Sequence, residues 1–316
     1  MKILRSHLGK FPLIELRDPD SGAFFSILPT RGATVHRVGL PGPDGAVREV
    51  LCPMRTEIEV ERHRWAKGAQ LAPWPNRIQD ARYEFQGKTY APPRNFKHQG
   101  GHAIHGFEMF ETTKLGAKDP DAGWLEFQLA SKGWPGYPFP IRITHRFSLS
   151  PDGFRMETSL RNEGRTDAPA GHGWHPYFRL GKSIKPCTLA IPAGKLLEST
   201  PRAVPSGRKL AWDAIAKPAA LGGTWLNECV ELSARKGIAT TRLTDSDLGL
   251  SLEVWQEAGP GKYGHLQVFT HPLRHCLAIE PMTCAPNAFN NGMGLLVLRP
   301  GEEFRASCGA RLVGCP

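Results

Sequence analysis

Apolar side chains recur at every second position through Trp124-Leu125-Glu126-Phe127-Gln128-Leu129, through residues 142–149 and through residues 154–160. In an extended chain that period turns one face toward a core and the other toward water, so these stretches predict half-buried strands. Residues 24–29, 82–85, 250–255 and 265–269 carry the same signal. Turn sequences punctuate them, among them Pro41-Gly42-Pro43-Asp44-Gly45, Pro151-Asp152-Gly153 and Pro300-Gly301. With 34 glycines, 28 prolines and almost no amphipathic helical period, the chain is expected to be all-β, an antiparallel β-sandwich or barrel.

A chain of 316 residues can bury a sizeable core as one large domain or two ordinary ones. No internal repeat or low-complexity linker divides it, so residues 1–316 are read as one domain. The Pro/Gly/Lys-rich stretch 192–218 is expected to be a long excursion on the sandwich surface. The formal charge is +10, but Lys and Arg are spread without a basic run, which argues for solvated surface and against a nucleic-acid partner. Seven cysteines, at 52, 187, 229, 276, 284, 308 and 315, form no C-x-x-C pair and leave one over. That argues against a zinc ribbon and a disulfide framework and for a reducing compartment. The N-terminal residues are broken by charge and proline before any signal-peptide length is reached, and nothing approaches a membrane span. The expectation is a cytoplasmic protein with no membrane partner.

Three segments concentrate chemistry. Leu71-Ala72-Pro73-Trp74-Pro75-Asn76-Arg77-Ile78 holds Arg77 in a proline-bounded turn, and Gly101-His102-Ala103-Ile104-His105-Gly106-Phe107 follows. Arg77 in that setting is either a fixed fork of donors for a ligand or a structural clamp on loop carbonyls. Gly171-His172-Gly173-Trp174-His175-Pro176-Tyr177-Phe178-Arg179 gathers two imidazoles, three aromatic rings and an arginine around a proline. Within each histidine pair the separation is three, so an extended chain sends the two rings to opposite faces. On this ground His172 is assigned to structure. The third segment is an apolar run from Cys276 to Ile279, expected to end in Glu280, followed by the Asn/Pro-rich stretch to Gly292. A carboxylate in apolar surroundings is poised for a raised pKa and general-base work, while a solvated strand end is the plainer reading. Cys284 is read as a small buried residue.

Trp74-Pro75-Asn76-Arg77-Ile78, Ala103-Ile104-His105-Gly106-Phe107, His175-Pro176-Tyr177-Phe178 and Glu280-Pro281 with Asn287-Ala288-Phe289-Asn290 stand in order on an all-strand background. Together they resemble the aldose 1-epimerase (galactose mutarotase-like) family, from about Arg31 to the C-terminus. The resemblance implies one large antiparallel β-sandwich with an open groove. It implies interconversion of the α and β anomers of a free aldose, without metal or cofactor and with a small sugar as partner.

By motif, Glu280 is then the base at the C1 hydroxyl, His175 the acid at the ring oxygen and His105 its assistant. The pair is expected to work with Glu280 ionised and His175 protonated, each supporting the other's charge. Arg77 and Asn76 bind the sugar. Asn227 stands where the family usually has an aspartate on the sugar hydroxyls, with Asp213 a weaker candidate. Trp174, Trp255 and Phe289 are candidate walls for the sugar. Rival readings are a non-catalytic carbohydrate-binding protein and a sugar-phosphate mutarotase drawing on Arg77, Arg94, Lys97 and Arg179. A glycoside hydrolase lacks a second carboxylate, and a metal enzyme would have to unite His102, His105, His172, His175 and Glu280 against strand parity.

Overall fold

The computed structural model describes residues 1–95, 100–192, 194–211 and 218–315. Every stretch read as a strand from its alternation contains one, with Pro29 falling in a short 3-10 turn and Arg82 just before its strand. In Ile141–Ser150 the residues Ile141, Ile143, His145, Phe147 and Leu149 are buried while their neighbours turn outward. Among the described residues an antiparallel sheet of nine strands runs in the order Lys114–Asp119, Trp124–Ser131, Ile141–Ser150, Gly153–Asn162, Glu303–Gly314, Leu250–Glu257, Ile238–Asp245, Thr188–Ala190 and Ala219–Ala220. A second sheet has the order Pro205–Ala211, Gly194–Ser199, Asn227–Leu232, His265–Thr270, Leu277–Met282, Gly173–His175 and Ala69–Leu71, with Tyr177–Phe178 also on Leu277–Met282. Residues 2–49 add a meander of five strands paired in sequence order. The architecture is an antiparallel β-sandwich with two short α-helices among the described residues.

The main core lies between the sheets. Phe127, Phe147, Phe154, Leu252 and Val254 come from the nine-stranded sheet and meet Val230, Leu266, Val268, Leu277, Ile279 and Trp174 from the second. Each such side chain contributes about 2 kcal/mol of transfer free energy. The period of two then places Gln267 and Phe269, between and beyond Leu266 and Val268, on the far face of that sheet. Glu280 lies on that face for the same reason.

Two expectations change. Within the stretch read as a surface excursion, Gly194–Ser199 and Pro205–Ala211 form a hairpin on the edge of the second sheet. Leu197 anchors it by packing with Cys229 and Met282, and Pro205 is tolerated because it opens an edge strand. Asp213 and Lys97 lie outside the described residues. Glu280 does not end its strand but sits inside Leu277–Met282, and Pro281 is accommodated there because the ladder on that side is interrupted.

Candidate active site

That interruption brings the chemistry together. Gly173 pairs with Met282 and Tyr177 with Ala278, with no pairing between these points. Continuing the register across the gap sets His175 opposite Glu280 and faces one X-Pro step with another. His175 Nε2 lies 3.6 Å from Glu280 Oε1. The two groups are therefore adjacent on one face. A sugar would lie over both rather than between them.

Arg77 and His105 come from the short ladder in which Ile104 pairs with Arg77. The His105 amide donates to the Asn76 carbonyl at 2.8 Å, and the Asn76 amide donates to His105 Nδ1 at 3.2 Å. A backbone N–H can only donate, so Nδ1 must accept. This fixes His105 as the neutral tautomer with its proton on Nε2. Asn76 (φ 55°) and His105 (φ 64°) are both left-handed, a conformation that costs a non-glycine residue about 1 kcal/mol and clusters at sites of function. The His105 and His175 rings meet edge to face, centroids 5.2 Å apart. Asn287, in the loop after Glu280, clamps the arginine from behind. Its amide donates to the Arg77 carbonyl at 2.6 Å, and its Oδ1 accepts from the Gln79 amide at 2.9 Å.

Gly106 completes this turn at φ +65°, where a Cβ would stand 2.1 Å from the Ala72 carbonyl oxygen. That oxygen already accepts from the amides of Phe107 and Glu108. Gly106→Ala is expected to destabilise the fold by about 3 kcal/mol through backbone strain and overpacking. Urea denaturation checks this, and a loss below about 0.5 kcal/mol, the scale of an ordinary surface change, would contradict it.

A directed chain of amides crosses the floor of the cleft. Arg77 Nη1 donates to Asn76 Oδ1 (2.9 Å), Asn76 Nδ2 to Gln267 Oε1 (3.3 Å) and Gln267 Nε2 to Asn227 Oδ1 (3.1 Å). Asn227 is exposed at the end of this chain, so it presents its NH2 as a donor. Gln267 pairs in register with Glu280 and was not singled out from sequence. Its strand was recognised, but only the register shows which of its faces carries the site. Gln267→Met keeps the volume and breaks the chain. Its expected effect is a several-fold rise in KM with a smaller change in kcat, read from initial rates over a range of sugar concentration. An unchanged KM would remove Gln267 from the site.

The cleft holds about 510 Å³ of empty space up to its open mouth, within the range of roughly 300–1,000 Å³ typical of small-molecule sites. Arg64, Trp65, Asn76, Arg77, His105, His175, Tyr177, Asn227, Gln267, Phe269 and Glu280 are among its lining residues. None of the three expected aromatic walls is there. Trp174 is core, 5.7 Å from the rings of both Phe154 and Phe178, because its position has the parity of His172. Trp255 belongs to the nine-stranded sheet, beneath Arg155. Phe289 is enclosed by Trp74, Tyr83 and Tyr137. The walls are instead Trp65, Tyr177 and Phe269.

The histidine pairs divide as parity predicts. His102 Nδ1 accepts from the Asp80 amide at 3.1 Å and Nε2 meets the Arg202 carbonyl at 3.2 Å, away from the cleft. His172 points into the sandwich, Nδ1 3.0 Å from the Tyr263 hydroxyl. Arg94 and Arg179 do not line the cleft, and Glu280 is its only carboxylate among the described residues.

Burial governs the ionisation. It pushes the Glu280 carboxyl well above the usual range, with the Arg77 guanidinium pulling the other way. It lowers the His175 imidazole to about 3. His105 is held well below its ordinary value by burial and then by the charges of His175 and Arg77. Burial thus favours the neutral forms over the expected ion pair, because each charge would lose its hydration here. A neutral imidazole beside a carboxylic acid and an imidazolium beside a carboxylate nevertheless hold the same number of protons. One proton crossing the contact converts one state into the other. Glu280 Oε2 is buried with no hydrogen-bond partner among the described residues.

Residues 12–311 match the family model described as aldose 1-epimerase. The chain is 30% identical over 256 residues to the uncharacterized protein YihR of Escherichia coli K12, spanning 75% of this chain and 76% of that one. It is 28% identical over 151 residues to the aldose 1-epimerase of the same organism, 47% of this chain and 42% of that enzyme. The solved structure of a galactose mutarotase-like protein from Clostridium acetobutylicum superposes with a TM-score of 0.84 at 18% identity, covering 100% of this chain and 99% of the other. The chain belongs to the aldose 1-epimerase family.

Proposed function

We propose that the protein is an aldose 1-epimerase acting on a free aldose, with Glu280 and His175 as its proton-transfer pair. The observation that carries this reading is their 3.6 Å contact on the floor of a cleft walled by Trp65, Tyr177 and Phe269. Opening a pyranose removes a proton from the C1 hydroxyl and delivers one to the ring oxygen. Rotation about C1–C2 and closure on the other carbonyl face reverse both transfers. Glu280 takes the C1 proton and His175 supplies the ring oxygen. The buried pair carries one mobile proton for this cycle, so no proton need come from water. Arg77, next to the substrate, favours the carboxylate form of Glu280. His105 offers its Nε2–H to the ring oxygen or a neighbouring hydroxyl, and Asn76 and Asn227 bind hydroxyls. The aromatic walls accept the apolar C–H face of the ring.

Polarimetry of freshly dissolved anomers of several hexoses and pentoses tests the reading. Acceleration of mutarotation supports it, whereas binding without acceleration makes the protein a carbohydrate-binding module. A second reading, an anionic sugar such as a sugar phosphate, is favoured by Arg64. This residue is exposed at the cleft, with no carboxylate partner among the described residues. Comparing kcat/KM for a hexose and its phosphate decides between the two, and Arg64→Ala should lower only the second value.

A further inference from the structure

Behind the cleft, in the interior of the sandwich, Glu108, His145 and His172 bring one carboxylate and two imidazoles together. Their potential ligand atoms lie within 4.8 Å of one another and all three side chains are fully buried. His145 Nε2 is 2.7 Å from Glu108 Oε1. Two further atoms of the cluster, Glu108 Oε2 and His172 Nε2, are buried with no hydrogen-bond partner among the described residues. The outer nitrogen of each ring is occupied. His145 Nδ1 is 2.9 Å from Thr158 Oγ1, its cross-strand neighbour, and His172 Nδ1 is 3.0 Å from the Tyr263 hydroxyl. Outer-shell bonds of this kind fix imidazole orientation and leave Nε2 facing a metal.

We propose that Glu108, His145 and His172 form a buried three-ligand site for one divalent cation of borderline softness, zinc above all, with the fourth position left to water. Two imidazoles and a carboxylate are an established zinc donor set. A cation there would fill both unpartnered positions at once and balance a carboxylate whose only side-chain partner among the described residues is His145. The other soft cluster, Cys52, His275 and Cys276, lies beside Lys67 and Arg179, whose charges oppose a second cation. The site also has a consequence for the cleft. Glu108 follows His105 by three residues and His172 precedes His175 by three, so one ion would tie together the segments that carry both cleft histidines. It would position them without touching substrate.

The test is metal content of the full chain purified from cells grown in medium supplemented with zinc or cobalt, then dialysed against a chelator. The expected result is about one metal per chain, lost at least ten-fold in Glu108→Gln, which removes the charge but keeps a bond to His145. Prolonged chelation at raised temperature should lower Tm, and zinc should restore it. A wild-type content below about a tenth of an ion per chain would overturn the proposal and leave a water in the gap. Full retention of metal in Glu108→Gln, or a strong thiolate-to-cobalt absorption, would overturn it too by placing the metal on cysteine.

Discussion

Replacing Glu280 with glutamine is expected to slow mutarotation by about 10³-fold, within the 10²–10⁴ that a positioned general base supplies. The amide has the shape of the carboxyl group and stays within reach of His175, so orientation of the sugar survives while the proton acceptor is lost. KM should change little and kcat should carry the effect. The variant should also be at least as stable as the wild type. Burial already disfavours a charge at this position, and glutamine carries none. Polarimetry paired with thermal melting separates lost chemistry from lost structure. A variant that folds normally and turns over within about three-fold of the wild type would remove Glu280 from the mechanism, because a general base is worth at least about 10².

Acidification has the second large effect. Burial lowers His63 to about 3 and holds His36, His105 and His265 below their ordinary value in the same sense. Unfolded, each titrates near 6.5. Below that pH the unfolded chain binds protons that the native state refuses. The stability these residues allow is therefore complete above about pH 6.5 and falls as the pH drops toward the folded values. At pH 5.5 His63 alone costs on the order of 1 kcal/mol, and the other three add to this in the same sense, against a typical total of 5–15. His175 is left out because Glu280 shifts in the opposite direction and takes up the proton that His175 declines. The urea midpoint should fall clearly between pH 7.5 and 5.5. Equal midpoints would mean that these imidazoles already carry their protons in the native state.

Much of this was legible in the sequence because it depends on local period. Alternation identified strands that the structure contains, and parity separated His172 from His175; His102 and His105 also part, but His105 is left-handed rather than extended. The Trp-Pro-Asn-Arg, His-Gly, His-Pro and Glu-Pro motifs pointed to the family that the comparisons establish. What stayed hidden depends on pairing between distant strands. Gln267 is unremarkable until its register with Glu280 is known. The aromatic residues that line the cleft, Trp65, Tyr177 and Phe269, come from three separate elements with no shared spacing. Trp174 was misplaced although the parity that turned His172 inward applies to it equally. The directions in which burial moves Glu280 and His175 stayed hidden too, because proximity was weighed without the loss of water that burial imposes.

The second sheet keeps its hydrophobic residues and its chemistry on opposite surfaces of the same strands. Leu266 and Val268 serve one surface, Gln267 and Phe269 the other, so neighbouring codons answer to different selective demands. Substitutions at alternate positions can therefore reshape the lining of the cleft without opening voids beneath, so what the cleft accepts can diverge in descendants of this chain while the scaffold persists.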